Sequence, residues 1–220
     1  MRKPLKPFHA GVALLLVLAA GCGGVQVRPE ANLPLPLVRP TPARVALVLD
    51  PELRGYKHVE SRQGNDWTVD LGPGHAKMME SIFKASLGDV QVFGSVEEAA
   101  AAAGLQAIFK PGIEQYSFAT ARDTTGGYWA VTIRYRIGVL SPDGQQVDSL
   151  ALTGYGSARD KGGSGKSLTN ASHAAMRDAA AKFLVQLPRQ SVAAQLRGGQ
   201  VVQAGAAAVV DEIEAVPIEP

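Results

Sequence analysis

The first twenty-two residues constrain this chain more than any other stretch. Arg2, Lys3 and Lys6 make a positive head, and from Ala10 to Ala20 every residue is apolar or glycine, with Leu14-Leu15-Leu16-Val17-Leu18 at the centre. The run closes in Ala19-Ala20-Gly21-Cys22. A basic head, a short apolar stretch and small residues before a cut are the layout of a secretory signal peptide, here residues 1–21. The apolar run is about eleven residues, well short of the roughly 20 that a helix needs to span a bilayer, so no permanent transmembrane helix is expected.

Cys22 is the only cysteine, so it has no internal disulfide partner and belongs to no cysteine metal cluster. Small residues directly before a lone cysteine resemble the lipobox of bacterial lipoproteins, whose usual form is Leu-Ala/Ser-Gly/Ala-Cys. Ala20 and Gly21 fit it, and Ala19 stands where leucine is commonest, with Leu18 one place back. The resemblance implies that Cys22 is the lipidation site: it becomes the mature N-terminus and carries a diacylglyceryl thioether, usually with a further acyl chain on its amine. Two or more chains hold a protein on a membrane, whereas one anchors it only marginally. The plainer reading is a secreted protein with an incidental cysteine. Position two of the lipoprotein is Gly23 and not the aspartate that favours inner-membrane retention. The resemblance therefore implies the periplasmic face of the outer membrane.

Charge gives no reason to expect a nucleic-acid partner. Three of the 22 basic residues and none of the 20 acidic ones precede Cys22, which leaves 19 against 20 and a net charge of −1 in the mature chain. Such a chain has no electrostatic footprint for nucleic acid.

Residues 22–43 read as the lipidated cysteine and a tether, with prolines at 29, 34, 36, 40 and 42. Proline fixes φ and removes a donor, so the segment is expected outside any sheet and in polyproline II geometry. At roughly 3.1 Å per residue it would hold the folded part up to about 60 Å from the lipid. Leu33, Leu35, Leu37 and Val38, set among the prolines, are candidate docking residues on a partner or on the domain.

One domain is expected over residues 44–197. Val45 to Leu49 is continuously apolar, as in a strand buried on both faces, and Asp50-Pro51 stops it. Residues 52–64 are polar. Trp67, Val69 and Leu71 alternate with polar residues in a half-buried strand. Gly72-Pro73-Gly74 opens a helix with Ala76, Met79, Ile82, Phe83 and Leu87 on one face and Gly88 as its stop. A short strand holds Val90 and Val92. Ser95 and Glu98 have capping-box spacing before an alanine run that Gly104 ends. Leu105 to Phe118 reads as a strand interrupted at Pro111-Gly112. Trp129, Val131, Ile133, Tyr135, Ile137 and Val139 define the clearest strand. Ser141-Pro142-Asp143-Gly144 turns it into a return strand from Val147 to Tyr155, completing a meander. The longest helix runs from Leu168 to Leu187 and is bounded by Pro188. Residues 198–220, rich in Ala, Val, Gly and Glu, read as a disordered tail. The fold class is α+β: a mixed, largely antiparallel sheet with amphipathic helices packed mainly on one face.

Candidate chemistry is sparse. Gly163-Ser164-Gly165-Lys166-Ser167, followed later by Val209-Val210-Asp211-Glu212, imitates nucleotide-binding motifs. The first glycine of a P-loop is replaced by Asp160, a negative charge where phosphates would sit, so a flexible loop before a helix is the expectation and no nucleotide is expected as cofactor. Asp66 and Asp70 share a strand face, but four residues at strand rise put them about 13 Å apart, beyond the roughly 5–9.5 Å of a glycosidase pair. His58, His75 and His173 are scattered, and no metal site is expected. Ser164, Ser167 and Ser172 lie near His173 in sequence without a nucleophile-elbow pattern. Arg134 and Arg136, opposite Trp129 and Tyr135, either grip an anionic lipid or glycan or form the wet face of the sheet.

The order of lipobox, proline-rich tether, strand, amphipathic helix, meander with an Asp-Gly turn, and long alanine-rich helix resembles small periplasmic accessory lipoproteins. Auxiliary lipoproteins of ABC-type transporters are the nearest. Lipoproteins of lipopolysaccharide assembly, curli secretion and penicillin-binding-protein activation are broader relatives. The resemblance implies a non-enzymatic subunit with no cofactor, tethered to the membrane through Cys22 and docked on a protein complex of the cell envelope. The alternatives are a periplasmic hydrolase, a ligand-binding lipoprotein and a nucleotide-binding protein.

Overall fold

The computed structural model describes residues 24–30 and 37–203; Cys22, the signal peptide, Leu33, Leu35 and residues 204–220 lie outside that range. Eight strands form two sheets: β1 (Val25–Val27), β2 (Thr41–Val48), β3 (Lys57–Arg62), β4 (Asn65–Asp70), β5 (Leu87–Phe93), β6 (Ala107–Ala119), β7 (Tyr128–Leu140) and β8 (Gln146–Arg159). The helices are α1 (Pro51–Arg54), α2 (Gly72–Ser86), α3 (Val96–Ala100), α4 (Ser164–Gln186) and α5 (Ser191–Arg197), with a 3₁₀ turn at Leu187–Arg189. The larger sheet has the order β5-β2-β6-β7-β8; β2 runs parallel to β5 and β6, and β6, β7 and β8 form an antiparallel meander. The smaller sheet has the order β1-β4-β3, with β1 parallel to β4. The fold is therefore α+β with mixed sheets, as the sequence pattern predicts.

Helices do lie mainly on one face. Val45 and Leu47 of β2 point into the large core with α2, α4, α5 and the inner residues of β7. Ala46 and Val48 point the other way, into a small cluster closed by Ala99 of α3 with Leu105, Ile108 and Leu140. Those two coverings explain why β2 is apolar at every position from Val45 to Val48. The small sheet covers the far end of the inner face, where Trp67 of β4 meets Phe118 and Trp129 at ring separations of 5.4 Å each.

Helix α4 sits flush on the edge strand β8. A Cβ on Gly154 would lie 2.2 Å from the Ala175 carbonyl oxygen, and one on Gly156 would lie 2.2 Å from both the Ala171 oxygen and the Ala175 nitrogen. Ala171, Ala175 and Ala179 complete the contact with side chains small enough for it, and all three are fully buried.

Several elements differ from the sequence expectation. Residues expected in the tether instead join the fold: Val25, Gln26 and Val27 pair with Trp67, Thr68 and Val69. Val27 is 4% exposed, Arg28 holds Asp70 at 2.6 Å, and the Pro29 carbonyl lies where a Cβ on Gly74 would be. The prolines begin after this strand, so they bound it and do not prevent it. The polar stretch at 52–64 contains α1 and β3, whose two-residue turn Gln63-Gly64 has φ of 52° and 76°, the mirror-type hairpin geometry. Helix α2 stops at Ser86, before Gly88, because Leu87 turns directly into β5. Strand β6 continues through Pro111, which lies beyond the residues that pair with β2; its register shift falls instead between Ile113 and Gln115. Helix α4 begins at Ser164, four residues before Leu168. Of the expected disordered tail, Val202 is 3% exposed and its N–H donates to the Gln106 carbonyl at 2.8 Å.

His75 is fully buried against Tyr135, with ring centroids 5.5 Å apart. Its Nδ1 donates to the Leu71 carbonyl at 2.7 Å, and Nε2 has no partner among the described residues. Burial depresses its pKa from 6.5 to about 4, against the opposing pull of the Leu71 carbonyl.

Two outcomes are expected. Gly156→Val forces a side chain into the α4 backbone and should cost more than the ~1–3 kcal/mol typical of overpacking, read as a lowered urea midpoint. A folded-state pKa below the unfolded one means His75 makes no pH-dependent contribution above pH 6.5, and stability is lost as pH falls from 6.5 towards 4. The loss is about 3 kcal/mol by the lower limit, and His75→Met should remove that part of the acid dependence in urea titrations.

Candidate functional site

Where β2 ends, the sheet opens. Asp50 does not extend the strand; its Oδ1 accepts the Leu53 N–H at 2.8 Å and caps α1. Beyond it β6, still paired with β7, continues without β2 at its side, leaving a groove of about 570 Å³. Gly112 and Gly138 form part of its wall without side chains, and Asp50, Glu52, Tyr56, Lys110, Glu114, Arg136 and Gln146 supply its polar groups. Glu114 reaches it because the β6 register shifts at that residue. Four of the charges are mutually engaged: Lys110 Nζ lies 3.2 Å from Asp50 Oδ2, and Arg136 donates to Glu114 and, at 3.3 Å, to Ser149 Oγ, while Glu52 makes no ion pair among the described residues. Burial raises the Tyr56 pKa. Among the described residues no Ser, Thr, Cys or His lines the groove, so what it offers is charged and hydrogen-bonding groups.

A second cleft, about 340 Å³, lies between the end of β8 and α4. It brings Glu30, Ser157, Asn170, His173 and Arg177 together. Burial, then the Arg177 charge, lowers the His173 pKa against the opposing effect of Glu30. His173 Nε2 has no partner among the described residues, so Ser157 is not joined to it as a nucleophile is to its base.

The other sequence candidates are separated from one another. Asp66 accepts from Ser61 Oγ at 2.5 Å, and Asp70 is taken by Arg28. His58 pairs with Glu60 at 3.0 Å. Ser167 Oγ donates to Asp160 at 3.2 Å. Ser172 bonds the Leu168 carbonyl and the Tyr116 hydroxyl, and neither bond leads to His173. The glycine-lysine-serine motif is not a loop: Ser164 to Ser167 form the first turn of α4. Arg134 is exposed, while Arg136 enters the groove. Among the described residues no group of three or more His, Cys, Asp and Glu side chains could hold a metal ion, and no helix is long and apolar enough to cross a membrane.

Sequence reasoning missed the groove. Its one local signal is Glu114-Gln115, two polar residues in succession that break the alternation of Ile113 and Tyr116, the mark of a bulge. Asp50 and Lys110 carry no signal, since only the parallel pairing of β2 with β6 brings them together.

No family model matches the chain, and no curated protein matches it. Solved structures of similar layout include a Xanthomonas campestris protein of the family DUF330, at 12% identity over 74% of this chain and 92% of that one, with a TM-score of 0.45. A minor lipoprotein from Acinetobacter baumannii is 11% identical over 75% of this chain and 99% of its own, with a TM-score of 0.37. The lipoprotein GNA1162 from Neisseria meningitidis is 11% identical over 68% and 100%, with a TM-score of 0.35. At TM-scores below 0.5 these likenesses assign neither a fold family nor a function.

The groove charges are more than a third exposed on their basic side, so their pairing contributes little to stability. Lys110→Ala and Arg136→Ala should each change the unfolding free energy by less than about 1 kcal/mol in urea titrations. A defect seen with either variant in cells would then belong to the groove and not to folding.

Proposed function

We propose that the protein is a lipid-anchored lipoprotein of the bacterial outer membrane's periplasmic face, acting as a non-enzymatic accessory or docking subunit of an envelope transport or assembly complex. The observation that carries this reading is the lipobox Ala19-Ala20-Gly21-Cys22, placed three residues before a strand that belongs to the fold. A signal peptide that ends where the domain begins suits a protein whose N-terminus is an anchor. The groove at the end of β2 suits docking: it has polar groups on a glycine-lined wall, and its two ion pairs can exchange with a partner's charges. A periplasmic hydrolase is the second reading, favoured by the meeting of Ser157, His173 and Glu30 in one cleft.

Cys22→Ser should abolish incorporation of labelled fatty acid and move the protein from the outer-membrane band of a density gradient to the soluble fraction. Unchanged labelling and fractionation would overturn the lipoprotein reading. Cross-linking in whole envelopes, read by mass spectrometry, should recover subunits of one complex from the wild type and lose them with a Lys110→Glu, Arg136→Glu variant. Retained activity on ester, peptide and glycan substrates that vanishes with His173→Ala would favour the hydrolase instead.

A further inference from the structure

One pole of the molecule gathers the start of β1, the β3–β4 turn, the β6–β7 loop, the end of β8 and the start of α4. Hydrogen bonds join these segments. Gln63 Nε2 donates to Asp123 Oδ1 at 2.8 Å and to Thr120 Oγ1 at 3.2 Å, tying the hairpin tip to the β6–β7 loop. The Asp160 N–H donates to the Gly127 carbonyl at 2.9 Å, tying that loop to the end of β8. Gly165, in the first turn of α4, lies against Val25 and Val27, and Gly24 lies against the Asp66 backbone at the start of β4. The chain therefore enters the fold at this pole.

Cys22 is three residues before Val25. An extended chain spans at most about 3.6 Å per residue, so the Cα of Cys22 lies within about 11 Å of Val25. That distance is shorter than the domain is long: α4 alone, with 23 residues, runs about 35 Å away from the pole.

The pole carries charges of both signs. Its acids are engaged. Asp66 accepts from Ser61, and Asp160 accepts from Ser167 and, at 3.3 Å, from the Gly162 N–H. The Thr120 N–H and hydroxyl, then Arg62, hold the Asp123 carboxyl below the usual carboxylate range. Of its bases, Arg62 is paired with Glu60 and Asp123 and Arg159 donates to the Tyr128 hydroxyl, whereas Arg122, Lys161 and Lys166 are exposed and make no ion pair among the described residues. Lys161 and Lys166 flank the glycine-rich segment that imitates a phosphate-binding loop.

We propose that this pole rests on the membrane in which Cys22 is anchored, with Arg122, Lys161 and Lys166 on the phosphates of anionic phospholipid headgroups. The proposal rests on acylation of Cys22, which supplies the attachment, and adds an orientation and a ligand class. Each basic residue near an anionic surface strengthens binding by about fivefold, an effect that fades within a Debye length of about 8 Å at physiological salt. Only a short link from anchor to pole keeps those side chains inside that range.

The test uses the full acylated protein with one new cysteine, either Thr125→Cys at the pole or Val185→Cys near the far end of α4, labelled with a fluorophore. Acylated Cys22 holds its sulfur as a thioether and takes no label. The vesicles contain phosphatidylethanolamine and phosphatidylglycerol with a headgroup-nitroxide quencher. The Thr125 label should be quenched several-fold more than the Val185 label. The triple variant Arg122→Glu, Lys161→Glu, Lys166→Glu should at least halve that difference, with an unchanged melting curve. Equal quenching at the two positions, on vesicles that still carry the protein through flotation, overturns the orientation while leaving the lipoprotein reading intact. An undiminished difference in the triple variant overturns the headgroup contact. Failure to float, with label entering at Cys22, overturns the lipoprotein reading and the orientation with it.

Discussion

The backbone contact between α4 and β8 is the constraint on which the rest of the architecture depends. Two glycines in one strand let a helix approach until its own carbonyls occupy the space of the missing side chains. From that position Asp178 accepts the Tyr155 N–H at 2.8 Å and Lys182 donates to the Thr153 carbonyl at 3.0 Å. Both are backbone groups that an edge strand would otherwise present to another chain. The same helix thus closes the core and blunts the sheet edge. Its first turn also braces β1, so the seating of α4 decides where the N-terminus is held.

A second constraint is the polar content of the core. The Tyr116 hydroxyl meets Ser172 at 2.8 Å, whereas the Tyr135 hydroxyl, His75 Nε2 and both tryptophan N–H groups lack partners among the described residues. Such groups cost free energy on burial, of order 1–3 kcal/mol each when unsatisfied. The aromatic bodies that carry them offset this by filling the seam between the two sheets, where Trp67, Phe118 and Trp129 interlock.

Legibility in the sequence follows from where each element gets its stability. Strand β7 could be read at once because its six alternating apolar residues all face one core. Strand β2 could be read because it is covered on both sides. Ser95 accepts the Glu98 N–H at 3.2 Å, as the capping-box spacing predicts, while the Glu98 carboxylate accepts from Gly94. Strands β1 and β3 could not be read. Three residues carry too little pattern for β1, and β3 has polar neighbours on an exposed edge, so both exist only through pairing with β4. The groove is hidden for a related reason: its residues come from β2, β6 and β7, and only their register unites them. The run Ala19-Ala20-Gly21-Cys22 that resembles a lipobox is a local pattern and needs no tertiary context to be seen.

The position of β1 changes what an anchor at Cys22 would mean. A proline-rich spacer of about twenty residues would let the domain search a wide volume, and the position of any docking surface would be set by entropy. A link of three residues leaves almost no such freedom. With Cys22 in the bilayer, the position of the groove is set by β6 itself. Glu114 and Lys110 lie five and nine residues before Ala119, the end of that strand nearest the pole, or roughly 17 and 30 Å at strand rise. A partner that engages the groove then meets it at a fixed height and in a fixed orientation. Rigid presentation of this kind reduces the orientational search that normally slows protein association.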